Sequence, residues 1–468
     1  MTDAIRPGAG DFAEAQEPVE AGESTGPDPR PSMRSAYYTL FVLGVVIMFT
    51  VLDRQVLALM IEPIKADYGI SDTQAALLLG AAFSLTYAFA GLPIARLADV
   101  TNRRNLVAAC TAFWSLMTVA CGLAQNYVQL FLARMGIGIG EAGYGPATWS
   151  MVTDIFPRER VAFATGTLAI GAQLGMGLAL VIGGSAYAMV AGIPSIDLPI
   201  VGVLRPWQWA FIIVGTPGVL WALVVVFTLK EPKRRGDLVA GQKQKAVPVR
   251  EVAGYMKKDW RAYTGIIGGS CIKYLFALGT TQWMPTLFMR EFGWSLTKVG
   301  LVQGVLIMIV GPIGLVVGGK LSEYLIQRKL PGANMKIVLW GMWITVPLSV
   351  IFPLVPNPWI MLALYAVTLF LSGVGGGPAI AAAQIITPNR MRAQVSAVSL
   401  FSSNVIAFAV GPLIVALFTD YLFSDPADLK YSMALAAAVL GPPAILIVWQ
   451  GVKPYARSFD RTAIEFGE

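Results

Sequence analysis

The chain has 468 residues, of which 56% are hydrophobic and only 13% are charged, and its formal net charge is +7. This composition lies outside the range of soluble globular domains and predicts a protein that crosses a membrane many times. Histidine is absent and the three cysteines all lie within apolar stretches, which excludes a disulfide framework, a CxxC metal or redox pair and histidine-based chemistry.

The hydropathy pattern divides the chain into five parts. Residues 1–34 are rich in Pro, Gly, Glu and Asp, which predicts a disordered cytosolic tail. Six apolar stretches follow within residues 35–230 and six more lie within residues 259–452, each long enough to cross a bilayer as a helix. The basic segment 231–258 predicts a cytosolic interdomain linker, and residues 453–468 a second cytosolic tail. The predicted fold class is an all-α membrane protein with twelve transmembrane helices in two six-helix bundles.

The two halves of the chain echo each other. Ala95–Asp99 after the second predicted helix matches Gly319–Glu323 after the eighth, and Phe156–Arg160 after the fourth matches Thr387–Arg392 after the tenth. Such internal duplication is common in transporters and predicts a pseudo-symmetric pair of bundles. In chain order the predicted helices span about 37–59, 73–97, 105–124, 127–152, 161–190, 207–229, 261–288, 297–320, 335–354, 358–382, 393–420 and 431–452.

The distribution of Lys and Arg predicts the orientation in the membrane. Cytosolic loops carry an excess of these residues. With the N-terminus inside, the inner loops and tails hold about 27 of them and the outer loops about five. Both termini and the segment 231–258 should therefore be cytosolic, in a bacterial inner membrane. This asymmetry also explains the basic net charge without nucleic-acid binding.

The fourth predicted helix carries two charges inside a glycine-rich apolar stretch, Arg134 and Glu141. A charge at the centre of a spanning helix costs at least about 3 kcal/mol, so such residues usually face a partner or a wet cavity. The two residues are two helical turns apart, which places them on nearly the same face with about 10 Å between their Cα atoms. This pattern favours a functional site, and the alternative is a structural ion pair that orients one helix against another.

The other intramembrane charges, Asp53, Arg54 and Lys273, lie on the first and seventh predicted helices. Asp53 is at a depth similar to that of Arg134, so these two can pair between helices 1 and 4. Because histidine is absent, a proton-linked step near neutral pH must use a carboxyl group, and Glu141 and Asp53 are the candidates. We expect Arg134 to alternate between Asp53 and Glu141, with Lys273 as the alternative partner of Glu141.

Several motifs resemble those of a known transporter family. The turn at Asp99–Arg104 resembles motif A of the major facilitator superfamily, although Ala95 stands where that motif usually begins with Gly. Three further motifs, Asp53–Arg54, Phe113–Ser115 and Arg134–Ala142, are similar to those of the spinster subfamily. The chain is therefore identified as similar to a bacterial spinster-type transporter, with motifs that cover most of its N-terminal half.

The resemblance implies two six-helix bundles that rock around a central cavity lined by helices 1, 4, 7 and 10. It also implies gating by charged residues of motif A and its repeat, namely Asp99, Arg103, Arg104 and Glu323. We expect Asp99 to form a cytosolic latch with Arg103 or a neighbouring Arg and with the N-terminus of helix 11. The candidate substrate-binding and coupling residues are Asp53, Arg54, Arg134, Glu141 and Lys273.

The leading hypothesis is a secondary transporter of an amphipathic, lipid-like solute, because eukaryotic members of the resembled subfamily are associated with sphingosine phosphate and lysophospholipids. We expect proton coupling, a monomer surrounded by membrane lipids, no metal and no cofactor. One alternative is a proton-linked transporter of small organic anions or drugs, and another is a non-transporting membrane sensor on the same fold. Enzyme activity is not expected, since the chain offers no metal-ligand cluster and no nucleophile–base pair in a soluble domain.

Overall fold

Twelve long helical segments build the described part of the chain. The computed structural model describes residues 31–192, 196–199, 202–234, 248–388 and 391–466. In chain order the segments are α1 (Met33–Tyr68), α2 (Asp72–Val100), α3 (Arg103–Leu123), α4 (Tyr127–Glu141 continued by Tyr144–Ile155), α5 (Arg158–Val190), α6 (Pro206–Thr228), α7 (260–292), α8 (Leu296–Gln327), α9 (Ala333–Ile351), α10 (Pro358–Ile385), α11 (392–423) and α12 (Leu429–Phe466). The predicted all-α class and twelve-helix architecture are confirmed.

Nine of these segments are long and apolar enough, by length and composition alone, to cross a membrane. The other three described segments, α4, α7 and α11, are interrupted. A turn at residues 142–143 divides α4, and π-helical turns at Thr264–Gly268 and Phe401–Ile406 interrupt α7 and α11. Local departures from α-helical geometry occur frequently at functional sites. Helix α2 has a similar π-helical turn at Leu77–Ala81, so four described helices are interrupted, and two of these, α4 and α7, carry intramembrane charges.

The regions flanking the bundles are described only in part. Residues 1–30 and 235–247, which include most of the predicted N-terminal tail and half of the predicted linker, lie outside the described residues. The end of the linker forms an amphipathic helix at Val249–Lys258. Helix α12 continues without a break through the predicted C-terminal tail as far as Phe466. Two short antiparallel strands, β1 (Ile196–Leu198) and β2 (Gly202–Leu204), lie between α5 and α6. The sequence pattern did not predict them.

The two bundles, α1–α6 and α7–α12, meet mainly where α5 packs on α8 and where α2 packs on α11. Backbone lies directly against backbone at the first of these contacts. A Cβ atom added to Gly177 of α5 would lie 2.2 Å from the main-chain oxygen of Gly304 of α8. Only glycine permits this approach, as is usual where small residues line interfaces between membrane helices.

Ion pairs join the two bundles at the face that carries the α1–α2, α7–α8 and α11–α12 connections, which we call the outer face. Arg290 at the end of α7 donates to both carboxylate oxygens of Asp72, at 2.8 and 2.7 Å, and to Glu62 at 2.7 Å. Lys65 also pairs with Asp72. From α11, Asp420 accepts hydrogen bonds from the first main-chain N–H groups of α2. We refer to Glu62, Lys65, Asp72, Arg290 and Asp420 as the outer ion cluster.

The opposite, inner face is not joined in this way. The inner end of α2 is exposed, with Leu92 76% and Val100 80% accessible. Its main-chain oxygens at Ala98 and Asp99 accept hydrogen bonds from Arg234 of the same bundle. The outer face is therefore closed by ion pairs while the inner end of α2 is exposed, which is an inward-facing arrangement in the orientation that the Lys and Arg distribution predicts.

The positive-inside pattern predicts that the inner face is cytosolic. Single cysteines at Gly192 and Asp460 test this, because both residues are exposed and lie at opposite ends of the bundles. In a background in which Cys110, Cys121 and Cys271 are replaced, an impermeant thiol reagent added to intact cells should label position 192 and not position 460. Labelling of position 460 alone would show that the protein has the opposite orientation. In permeabilised cells both positions should be labelled, which confirms that both cysteines are reactive.

Candidate substrate-binding and coupling site

Helices α1 and α4 bring four of the predicted site residues together inside one bundle. Asp53 and Arg54 lie on α1, and Arg134 and Glu141 lie on α4. Asp53, Arg134 and Glu141 are buried, whereas the Arg54 side chain is 23% exposed. The cluster contains two cations and two anions, so its formal charges balance within the low-dielectric interior. The sequence predicted this grouping, but the structure changes the partners.

Glu141 forms its ion pair with Arg54 of the neighbouring helix. The guanidinium of Arg54 contacts Oε2 of Glu141 through Nη2 and donates to the same oxygen through Nε at 3.0 Å. The predicted partner was Arg134, which shares a helix face with Glu141. The structure corrects this, because two helical turns separate Arg134 from Glu141 along α4 while α1 places Arg54 directly opposite the carboxylate.

Arg134 binds main-chain oxygens instead of a carboxylate. Its Nη1 donates to the carbonyl oxygen of Asp53 at 3.1 Å, and its Nε donates to that of Leu78 at 3.4 Å. The predicted ion pair between Arg134 and the Asp53 carboxylate is therefore wrong for this state. Arg134 links α4 to α1 and α2, which is a role in positioning these helices.

Three buried polar atoms of the cluster have no hydrogen-bond partner within the described protein: Oδ1 of Asp53, Oε1 of Glu141 and Nη2 of Arg134. A buried polar atom without a partner costs about 1–3 kcal/mol, which favours a proton, a water molecule or a solute as a partner for these three atoms. Both carboxyl groups thus keep an oxygen on which a proton can reside.

Aromatic rings enclose the cationic side of the ion pair. The Arg54 guanidinium lies 4.2 Å from the ring centroid of Phe83, 5.8 Å from that of Tyr87 and 5.7 Å from that of Phe408. Phe83 and Tyr87 belong to α2, whereas Phe408 comes from α11 of the other bundle. Sequence reasoning missed all three rings, since an aromatic residue in a membrane helix is ordinarily a core or lipid contact. The contact with Phe408 places the ion pair beside the interface between the bundles.

A cavity of about 240 Å³ adjoins this pair. Helices α1, α2, α4 and α5 line it, and its wall includes Arg54, Glu141 and Tyr87 together with apolar side chains such as Ile47 and Leu168. The site therefore offers a charged pair and an apolar surface to the same space. An arrangement of this kind can bind a molecule that has a polar head and an apolar body.

Lys273 lies apart from this cluster, on α7 of the other bundle. It is buried, with 5% exposure, and its Nζ atom points towards Gly375 of α10. Among the described residues no carboxylate lies within 4 Å of it. The predicted pairing of Lys273 with Glu141 is not formed in the inward-facing structure and stays a prediction for another state.

Arg103 of motif A is fully buried in an ion-pair network of its own bundle. It pairs with Asp154 at the end of α4 and with Glu231 after α6, the latter at 2.8 Å, and its Nη2 donates to the main-chain oxygen of Pro232 at 2.7 Å. The main-chain N–H of Arg104 donates to the second oxygen of Glu231 at 2.8 Å. Sequence reasoning missed Asp154 and Glu231, because charges that follow a membrane helix are ordinarily assigned to loops.

The two predicted latch carboxylates do not bridge the bundles in this state. The carboxylate of Asp99 is exposed, and the main-chain oxygen of this residue accepts a hydrogen bond from Arg234. Glu323 accepts a hydrogen bond at 3.2 Å from Gln327, one turn further along α8. Arg103 is engaged elsewhere, so the latch between Asp99 and Arg103 is absent here. A contact between Asp99 and α11 requires a closed inner face and stays a prediction for the outward-facing state.

The sequence of this chain matches the family model described as "Major Facilitator Superfamily" over residues 43–412. It is 28% identical over 435 residues to a protein of Mycolicibacterium smegmatis described as "MFS-type efflux pump", covering 92% of this chain and 93% of that one. It is 25% identical over 381 residues to a "Probable L-galactonate transporter" of Escherichia coli, covering 79% and 80%.

The fold is similar to that of "A Bacterial Homolog to Human Lysosomal Transporter, Spinster". The inward-facing, unoccupied structure of that protein gives a TM-score of 0.74 at 24% identity, covering 93% of this chain and 99% of that one. The inward-facing, occupied structure gives a TM-score of 0.69 at 26% identity, covering 94% and 99%. Both likenesses extend over more than nine tenths of this chain and show that it has the same fold.

Proposed function

Because the chain belongs to the Major Facilitator Superfamily and is a transporter of the spinster type, we propose that it moves an amphipathic, lipid-like solute across the bacterial inner membrane by proton-coupled alternating access. One observation carries this proposal. The Arg54–Glu141 ion pair shares a cavity wall with aromatic and aliphatic side chains, next to the interface between the bundles.

The solute class follows from what this wall can bind. A phosphate or carboxylate head group would compete with Glu141 for the Arg54 guanidinium, which forms strong charge-assisted hydrogen bonds with both kinds of anion. An acyl or sphingoid chain would lie against rings such as Tyr87 and Trp149, which line the cavity, and apolar burial there contributes about 25 cal/mol per Å². A purely polar solute would leave these rings without apolar contact.

Competition for Arg54 also provides a route to proton coupling. When a solute anion takes the guanidinium, Glu141 loses its counter-charge in a buried site, and protonation removes the uncompensated negative charge. When the solute leaves, Arg54 and Glu141 pair again and the proton is released. Asp53, adjacent and buried, is the second candidate carboxyl group. Solute and proton would then occupy the site together and cross as the bundles rock about the α5–α8 and α2–α11 contacts.

A transporter of small organic anions or drugs is the second candidate function. It is favoured by the efflux-pump and galactonate-transporter descriptions of the relatives and by the position of Lys273. A buried cation with no carboxylate partner among the described residues can serve as a counter-ion for a solute carboxylate. The two candidates differ in whether the aromatic wall around Arg54 contributes to binding.

Thermal-shift measurements on the purified protein separate these candidates. Lysophospholipids and sphingoid phosphates are used below their micellar concentrations. At a concentration of about ten times their Kd they should raise the melting temperature by about 3 °C, and galactonate should not. Arg54→Gln should abolish the shift, whereas Arg250→Gln, an exposed cation on the linker helix, should preserve it. A rise in melting temperature with galactonate and none with the lipids would favour the second candidate. If Arg54→Gln leaves the lipid-induced rise unchanged, Arg54 does not bind the solute.

A further inference from the structure

A second and larger cavity lies at the inner face of the α7–α12 bundle, away from the Arg54–Glu141 pair. Its volume is about 880 Å³, within the upper range of ligand pockets. It is lined by the start of α7 (260–265), the start of α9 with the preceding turn (331–340) and the inner part of α12 (447–457). No role for it follows from the transport cycle proposed above.

Four cations surround this cavity: Arg261, Lys336, Lys453 and Arg457. No acidic residue is among its lining residues. Within the described ranges, none of the four has a carboxylate within 4 Å, and the nearby Asp259 is paired with Arg461. Charges that converge on one space without counter-ions create a positive potential, and that potential favours an anion.

Three tryptophans lie among these cations. Trp260, Trp340 and Trp449 are 56%, 48% and 60% exposed, although they line the cavity. Tryptophan is enriched where membrane helices pass through the headgroup region of the bilayer. The cavity therefore opens at the level of the lipid head groups, in the leaflet that the Lys and Arg distribution predicts to be cytosolic.

We propose that this cavity is a binding site for the phosphate head group of an anionic phospholipid of the inner leaflet, such as phosphatidylglycerol or cardiolipin. The Arg261, Lys453 and Arg457 side chains would hold the phosphate, and the acyl chains would pass over the exposed tryptophan rings. Basic pockets between transmembrane helices on the cytoplasmic side recognise such head groups. A soluble phosphate would satisfy the cations but would leave the tryptophans and neighbouring Leu339 without a partner.

Occupancy of this site would act on the helix that carries Lys273. At the floor of the cavity α7 and α12 touch through glycines, since a Cβ added to Gly265 would lie 2.6 Å from the Cα of Gly451. Gly265 belongs to the π-helical turn of α7, eight residues before Lys273. A lipid that spans α7, α9 and α12 would hold this crossing together and stabilise the bundle.

Differential stabilisation by defined lipids tests the proposal. Full-length protein in a mild detergent is titrated with phosphatidylglycerol, with phosphatidylcholine, or with inorganic phosphate or glycerol phosphate, and its melting temperature is recorded. Phosphatidylglycerol should raise it by about 3 °C at saturation, and the other three should not. In Lys453→Gln/Arg457→Gln the apparent Kd for phosphatidylglycerol should weaken by about thirtyfold.

The matched control is Lys257→Gln/Lys258→Gln, which removes the same charge from exposed positions on the linker helix and should bind phosphatidylglycerol as the unmodified protein does. Equal binding by Lys453→Gln/Arg457→Gln and the control would overturn the proposal. If inorganic phosphate raises the melting temperature as much as phosphatidylglycerol does, the ligand is a phosphate and not a lipid. If the double variant does not fold, Lys336→Gln replaces it, and its affinity for phosphatidylglycerol should fall by about fivefold. Native mass spectrometry then counts the lipid molecules that each variant retains.

Discussion

Glu141→Gln is expected to abolish pH-driven accumulation of solute while leaving solute binding and exchange in place. At a stoichiometry of one proton per solute, a gradient of one pH unit supports about tenfold accumulation, and this ratio should fall to about one in the variant. The reason is that glutamine preserves the shape of Glu141 and a hydrogen bond to Arg54 but cannot carry a proton between the two faces. Proteoliposomes with an imposed pH gradient provide the measurement.

The control for this experiment is Glu251→Gln, which removes an exposed carboxylate on the linker helix and should accumulate solute normally. Counterflow exchange without a gradient shows that the Glu141→Gln protein is folded and competent to bind. If the variant accumulates solute at the unmodified rate, Glu141 is a structural partner of Arg54. Asp53, buried beside it with an unpaired oxygen, would then be the carboxyl group to replace.

Arg290→Ala is expected to shift the protein towards the outward-facing state. In the inward-facing structure Arg290 from α7 is held by Asp72 and Glu62 of the other bundle, and the Asp72 side chain is fully buried. Removing one partner of a buried ion pair leaves the other charge uncompensated, at a cost of several kcal/mol. Because Lys65 still pairs with Asp72, we expect the inward-facing state to lose about 2 kcal/mol relative to the outward-facing state. This corresponds to a change of about thirtyfold in the ratio of the two states.

Spin labels at Val128 and Tyr421 report on this equilibrium, because both positions are exposed at the outer face and belong to different bundles. The distribution of distances should gain a longer component in Arg290→Ala. Lys430→Ala is the matched control, since its partner Glu291 lies in the same bundle at the same face and the pair cannot hold the bundles together. Identical distributions for Arg290→Ala and the unmodified protein would show that the outer ion cluster does not control opening.

Some features of this protein follow from the sequence because they depend on local pattern. Apolar stretches of spanning length are expensive to leave in water, so they determined the number of helices and the division into two halves. The cost of a charge in hydrocarbon made Asp53, Arg134 and Glu141 site candidates before their surroundings were known, and all three are buried. The spacing of Arg134 and Glu141 along one helix predicted their common face, since a single helix has known geometry.

The choice of partners was decided only by the tertiary structure. Arg54, not Arg134, binds Glu141, and Arg290, which lies just beyond the end of the seventh predicted helix, holds the two bundles together at Asp72. Each of these contacts joins two helices, and the rotation and offset between helices are not encoded in the pattern of either one. They are set by the packing of many small residues along the interfaces, as where Gly177 lies against Gly304, so an ion pair between helices is a consequence of the whole packed bundle.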